Sequence, residues 1–246
     1  MKKFLTALQF LTSIPAGDRT VVSDRQLAGS MAYFSFVGLL IGAVLALSYN
    51  LLSLIFPHSV SCAFILVFNI ILTGGLHTDG FIDTFDAIAS GSGAKRMLEI
   101  MREGRPGAIG VASAILLFLV KYSLLISFSK ADIWAPLILM TVLGRWSLVL
   151  SAGLYPYARQ GEGLGRKFIQ DLKIGEVLSA TAMAFAIAFL ILNFRAFILM
   201  PLACCGALLF NLYMFKKIGG ITGDTLGALN ELVEVLALSV ILVLLS

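Results

Sequence analysis

Read for polarity alone, the chain is a series of long apolar runs separated by short polar segments. Runs of spanning length fall at about 31–56, 59–75, 107–128, 132–154, 176–193, 196–215 and 232–246. A membrane-crossing helix needs ~20 mostly apolar residues, so the pattern predicts an all-α, polytopic helical bundle of about seven spans. The second and last runs are short, which leaves a range of about six to eight. No internal repeat, low-complexity tract or interdomain linker breaks the series, and residues 1–246 read as a single transmembrane domain.

Composition agrees with that pattern. Hydrophobic residues make up 59% of the chain and charged ones 13%, against about 45–50% apolar usage in soluble domains. Cys62, Cys204 and Cys205 lie inside apolar runs, where they read as small hydrophobes and not as a disulfide or metal-thiolate framework. The opening "MKKFLTALQFLTSIP" has two lysines and a short apolar stretch but no Ala-x-Ala cleavage pattern. It reads as a retained amphipathic segment at the membrane surface.

The net charge of +4 is a topological signal here and points to no nucleic-acid partner. With a cytoplasmic N-terminus, the cytoplasmic segments are 1–30, 76–106, 155–175 and 216–231, and they hold 14 of the 18 basic residues. Only Lys130 and Arg195 fall on the opposite face. That asymmetry is the positive-inside pattern. It places the loops 76–106, 155–175 and 216–231 on the cytoplasmic side of a multi-pass cell membrane protein. Lys121 and Arg145 lie within spans, so each is paired or lines a cavity.

The acidic residues are few and concentrated. Asp79, Asp83 and Asp86 are spaced i, i+4, i+7, which stacks them on one helical face. Gly74, Gly75 and Gly80 flank or interrupt them and permit close backbone approach. Three like charges at a span edge repel unless a cation sits among them, and oxygen ligands without cysteine suit Mg²⁺ and phosphate. The plain alternative is a solvated acidic face. A second group, Asp224, Glu231 and Glu234, again shares one face. Gly219, Gly220 and Gly223 precede it, and Thr222 is placed to cap the helix. The plain alternative there is an ordinary capped helix start. Among the basic residues, Arg96, Arg105 and Arg159 are the candidates to bind a diphosphate. "GEGLG" (161–165) lacks the Gly-Lys-Ser/Thr ending of a Walker loop.

Taken in order, "GGLHTDGFIDTFDA", "RMLEIMREGRPGAIGV", "ARQGEGLGRKF" and "GGITGDTLGALNELVE" resemble the cobalamin synthase family, the adenosylcobinamide-GDP ribazoletransferases. "FLTSIP" and "YFSFVGLLIG" fit the family's opening. The resemblance implies a Mg²⁺-dependent membrane enzyme that joins adenosylcobinamide-GDP to α-ribazole, or its 5′-phosphate, and releases GMP. It implies a metal site from Asp79, Asp83 and Asp86, with Asp224 completing it or serving catalysis beside Glu231. His77 is then a general base or a partner of an aspartate. Gly74, Gly75, Gly80, Arg96, Arg105 and Arg159 would border substrate. Self-association, or association with other cobalamin-assembly enzymes, fits the same picture. The chain departs from the family pattern at Ala87 and over Glu103–Gly107, where Arg105 is kept. Two alternatives remain at this point. A CDP-alcohol-type phosphotransferase would need a different Asp and Ala-Arg spacing, and a cation-coupled transporter would place its acids nearer the bilayer midplane.

Overall fold

The computed structural model describes residues 2–15, 23–159 and 164–245. Its elements are α1 (Lys2–Leu11), α2 (Asp24–Ser30), α3 (Phe34–Ser53), α4 (His58–Thr73), α5 (Leu76–Ala89), α6 (Ala94–Glu103), α7 (Ala108–Ser127), α8 (Trp134–Leu154), α9 (Leu164–Gln170), α10 (Ile174–Leu192), α11 (Ala196–Ile218) and α12 (Gly223–Leu245). The all-α expectation holds, and the only β contact among the described residues is an isolated bridge between Tyr157 and Ile221.

Five helical stretches are long and apolar enough to cross a membrane, and α4 with α5, bent by 93°, makes a sixth where that pair is counted as one span. One of the five is the 45-residue stretch Ile174–Ile218. At 1.5 Å per residue it is about 67 Å long, twice the ~30 Å hydrocarbon core. It therefore folds back, at Asn193, the one non-glycine residue with positive φ among those described (φ 53°). Phe185 and Phe189 of α10 pack on Phe197 of α11 across that turn. Counting α10 and α11 separately gives the seven passes read from the sequence.

Helix α8 is the axis of the bundle. It is apolar all round and buried along nearly its whole length, as a helix with no lipid-facing side should be. Helix α3 packs on one of its flanks and α12 on another. Small residues set these distances. A Cβ on Gly42 would stand 2.5 Å from the Ile138 Cα, and one on Gly144 would stand 2.6 Å from the Asn230 side chain. Close backbone approach of this kind is how helices associate in lipid, where apolar burial supplies no driving force. Outward-facing side chains are mostly large and apolar, including Leu47 and Leu51 on α3, Leu116 and Leu119 on α7, and Leu209 on α11. Together they make a multi-pass membrane protein.

Helix α1 is docked and does not merely lie on the surface. Ala7 and Leu11 are fully buried, and Ser13 donates its backbone N–H to the Leu72 carbonyl (2.8 Å) at the end of α4. Of the cysteines, all free, Cys62 is buried as expected, while Cys205 is exposed on α11.

Candidate active site

The site lies where α5 crosses the first turns of α12. Gly74 and Gly75 both adopt left-handed backbone (φ 63° and 69°), which only glycine takes at little cost. That double reversal ends α4 and swings α5 through the bend. The crossing itself depends on two more glycines. A Cβ on Gly80 would meet the Asp224 backbone at 2.8 Å, and one on Gly227 would meet the His77 carbonyl at 3.0 Å. Gly80 therefore acts first in packing, and brings Asp79 and Asp83 beside Asp224.

Two local devices fix Asp224. Thr222 and Thr225 cap each other at the start of α12: the Thr222 N–H donates to Thr225 Oγ1 (2.8 Å) and the Thr225 N–H donates to Thr222 Oγ1 (3.2 Å). The cap expected of Thr222 is present. The segment after α8 then pairs with the turn before α12, through Ile221 N–H to the Pro156 carbonyl (2.9 Å) and Ala158 N–H to the Ile221 carbonyl (2.9 Å). This pairing delivers Arg159 to Asp224, with which it forms a half-buried ion pair.

Beside them is a cavity of about 280 Å³. His77, Asp79, Gly80, Tyr157, Arg159 and Asp224 give it a polar side, and Phe10, Met31, Phe34, Leu148, Phe168 and Leu226 an apolar one.

The three α5 carboxylates are used differently. Asp79 is exposed and borders the cavity. Asp83 is buried at 6% exposure, repelled by Asp79, Asp224 and Asp86, with Arg159 the one offsetting cation acting on it. Asp86 accepts from the N–H of Gly107 (2.6 Å) and of Gly110 (2.7 Å). Both of its oxygens thus cap the N-terminus of α7, where a carboxylate also complements the helix dipole. Among the described residues no three acidic, histidine or cysteine side chains converge on one ion. Two carboxylates, water and substrate phosphate are nonetheless the ordinary donors for Mg²⁺. Asp79 and Asp83 fit that set, because Arg159 alone offsets the repulsion among the carboxylates acting on Asp83.

Glu231 and Glu234 belong to a separate, deeper group. Lys121 of α7, fully buried, donates to Glu231 Oε2 (2.5 Å) and Glu234 Oε2 (2.6 Å). Arg145 of α8 pairs with Glu234 Oε1, and Asn230 donates to that Oε1 as well (3.0 Å). Thr78 of α5 donates to Glu231 Oε1 (3.2 Å). Two cations and two anions cancel, as charges inside a membrane domain must. Of the two roles the sequence left open for Lys121 and Arg145, pairing is the one found, and the partners are the glutamates the sequence placed at the site. His77 sits over this group, buried, with Nε2 unpartnered, so through that nitrogen it bonds no aspartate.

The other candidates scatter. Arg96 is exposed and tied to Glu99 (3.3 Å) and Glu103 (2.8 Å) on its own helix. Arg105 is exposed in the turn between α6 and α7, away from the cavity lining. Gly74 and Gly75 shape the bend and do not line the cavity. Residues 160–163, which carry most of the GEGLG stretch, lie outside the described residues. Sequence reasoning missed Tyr157, Thr78 and the phenylalanine wall. A lone hydroxyl or a Phe in an apolar chain carries no local signal.

The fold and site together define a class: a polytopic membrane protein with acidic, phosphate-suited residues gathered at one end of its helices. Residues 3–242 match the sequence profile of the cobalamin-5-phosphate synthase family, and the chain belongs to that family. It is 35% identical to the adenosylcobinamide-GDP ribazoletransferase of Thermoanaerobacter pseudethanolicus over 239 residues, 97% of this chain and 96% of that one. It is 36% identical to the protein of the same name from Clostridium acetobutylicum, covering 94% and 92% of the two chains. The Alkaliphilus metalliredigens protein of that name is 37% identical, with 95% and 92% covered. No solved structure matches.

Proposed function

We propose that this protein is a membrane ribazoletransferase. It joins adenosylcobinamide-GDP to α-ribazole, or its 5′-phosphate, giving adenosylcobalamin, or its 5′-phosphate, and GMP. The observation that carries this reading is the meeting of Asp79, Asp224 and Arg159 at one cavity, with the buried Asp83 acting on all three electrostatically from behind the lining, within a chain of this family.

Phosphoryl transfer of this kind asks for positioning and charge neutralisation more than covalent help. Mg²⁺ is the cofactor the donor set fits; Asp79 and Asp83 would hold it, and it would neutralise the diphosphate charge. Arg159, with its planar guanidinium, binds a diphosphate oxygen pair once substrate competes for it with Asp224. A ribazole oxygen forms a new bond to the phosphorus nearest the cobinamide arm, and the bond from that phosphorus to GMP breaks. Asp224 and His77 line the cavity and are placed to receive a hydroxyl proton. Glu231, tied to Lys121 and Thr78, instead holds α5 against α12.

The basic residues set the orientation: the N-terminus and the site face the cytoplasm of a prokaryotic inner membrane. Self-association, or association with other cobalamin-assembly enzymes, belongs to the same reading. The test is GMP release from adenosylcobinamide-GDP by the purified, detergent-solubilised protein, with and without α-ribazole and Mg²⁺. Release that requires both supports the assignment. No release from a folded preparation removes it.

A further inference from the structure

We infer that the apolar side of the cavity is the subsite for the base of the acceptor nucleoside, and that it selects an apolar bicyclic base over a purine. This rests on the ribazoletransferase reading and deepens it.

The aromatic part of the wall is built by elements that carry none of the acidic residues of the site. Phe10 comes from α1, Phe34 from α3 and Phe168 from α9. Their rings form one cluster: the centroids of Phe10 and Phe168 are 4.4 Å apart, those of Phe10 and Phe34 5.9 Å, and those of Phe34 and Phe168 6.0 Å. The helices behind them are fastened independently of α5 and α12. Ser13 ties α1 to the end of α4, and Lys167 ties α9 to Asp24 of α2 (3.4 Å). Among the described residues, no side chain on this side of the cavity offers a hydrogen-bond donor or a charge.

A diphosphate or a ribose has no use for such a wall, because its oxygens would be stripped of water without a partner. A planar apolar ring gains both area burial and aromatic contact there. At about 280 Å³ the cavity sits at the low end of small-molecule sites (about 300–1,000 Å³). It admits one nucleoside-sized group and leaves a corrin macrocycle outside. The acceptor nucleoside has the matching two-ended chemistry. Its ribose belongs beside Asp224 and Arg159, and its base beside the phenylalanines. The base of α-ribazole is a dimethylated benzimidazole with no N–H and no carbonyl. A purine carries amine or carbonyl groups that this wall would leave unpaired, and unpaired polar groups discriminate strongly.

The experiment uses the full-length protein in detergent with three acceptors: the α-ribosides of 5,6-dimethylbenzimidazole, benzimidazole and adenine. Phe10→Leu and Phe168→Leu are compared with the wild type, Phe10 being the more exposed and the more tolerant position. The expected result is a wild-type preference for dimethylbenzimidazole over adenine of at least about tenfold. In both variants KM for α-ribazole rises by about tenfold and that preference shrinks, with KM for adenosylcobinamide-GDP unchanged. Equilibrium dialysis of labelled α-ribazole against monodisperse variant protein gives the same ranking without turnover. A wild type that transfers to none of the ribosides overturns the proposed function, and this inference with it. An active wild type whose base preference survives both substitutions overturns the inference alone. So does a KM shift confined to adenosylcobinamide-GDP, which would assign the wall to the corrinoid.

Discussion

Two acidic groups that look alike in the sequence do opposite things in the fold. Asp79 on α5 borders the cavity and Asp83 lies buried just behind it, with Arg159 the offsetting cation beside three neighbouring carboxylates. Glu231 and Glu234 on α12 lie deeper and are fully met by Lys121, Arg145, Asn230 and Thr78. Both sets recur at helical spacing beside glycines. What separates them is the neighbours that packing supplies: α7 and α8 bring two cations to one group, while the other, with three carboxylates around Asp83, shares Arg159 with Asp224. An undercompensated cluster is held ready for a ligand, whereas a compensated one holds helices together.

The sharpest way to break the comparison is Glu234→Ala. It leaves Lys121 and Arg145 buried with a single glutamate between them, and removing one member of a buried ionic group costs about 3–5 kcal/mol. The expected outcome is a large fall in thermal stability in detergent; an unchanged melting curve would refute the structural role. Next is Asp83→Asn, which should cut GMP release by about 10²–10³-fold, the scale of losing one charge-stabilising group. Its melting temperature should hold or rise, because a repelled buried charge has been removed. Loss of stability without loss of turnover would reverse the assignments of the two groups.

Gly80→Ala comes third. The added methyl would sit 2.8 Å from the Asp224 carbonyl and force α5 from α12, at about 1–3 kcal/mol, with turnover falling alongside stability. Asp86→Ala removes the cap of α7 and should cost about 0.5–2 kcal/mol, a smaller loss of turnover than Asp83→Asn if capping is its main task. Equal losses would return Asp86 to the metal site. Arg96→Ala should change neither quantity measurably, since Arg96 is exposed and paired only along its own helix; a rise in KM for adenosylcobinamide-GDP would restore it to the substrate.

Much of this was legible in the chain. The apolar runs predicted seven passes because a span must satisfy its own backbone and face lipid over a fixed thickness. Boundaries were less legible. The last run was expected to begin at 232, but α12 starts at Gly223, since Glu231, which read as the end of the loop, is neutralised inside the bundle. Likewise 76–106 is mostly helix, in α5 and α6.

The sequence by itself determined the lipid-facing fold class, the glycines that permit close backbone approach around α5, the Thr222 cap and the presence of acidic, phosphate-suited residues. Each is a local property of composition, spacing or backbone freedom. Only the tertiary structure decided that Asp224 meets Arg159, that Asp86 turns to cap α7, that Arg96 pairs along its own helix and Arg105 lies off the cavity lining, and that Lys121 and Arg145 neutralise the glutamates. Those outcomes depend on which helices touch, and in a low-dielectric bundle the nearest opposite charge, not the residue's own identity, fixes what a carboxylate is for.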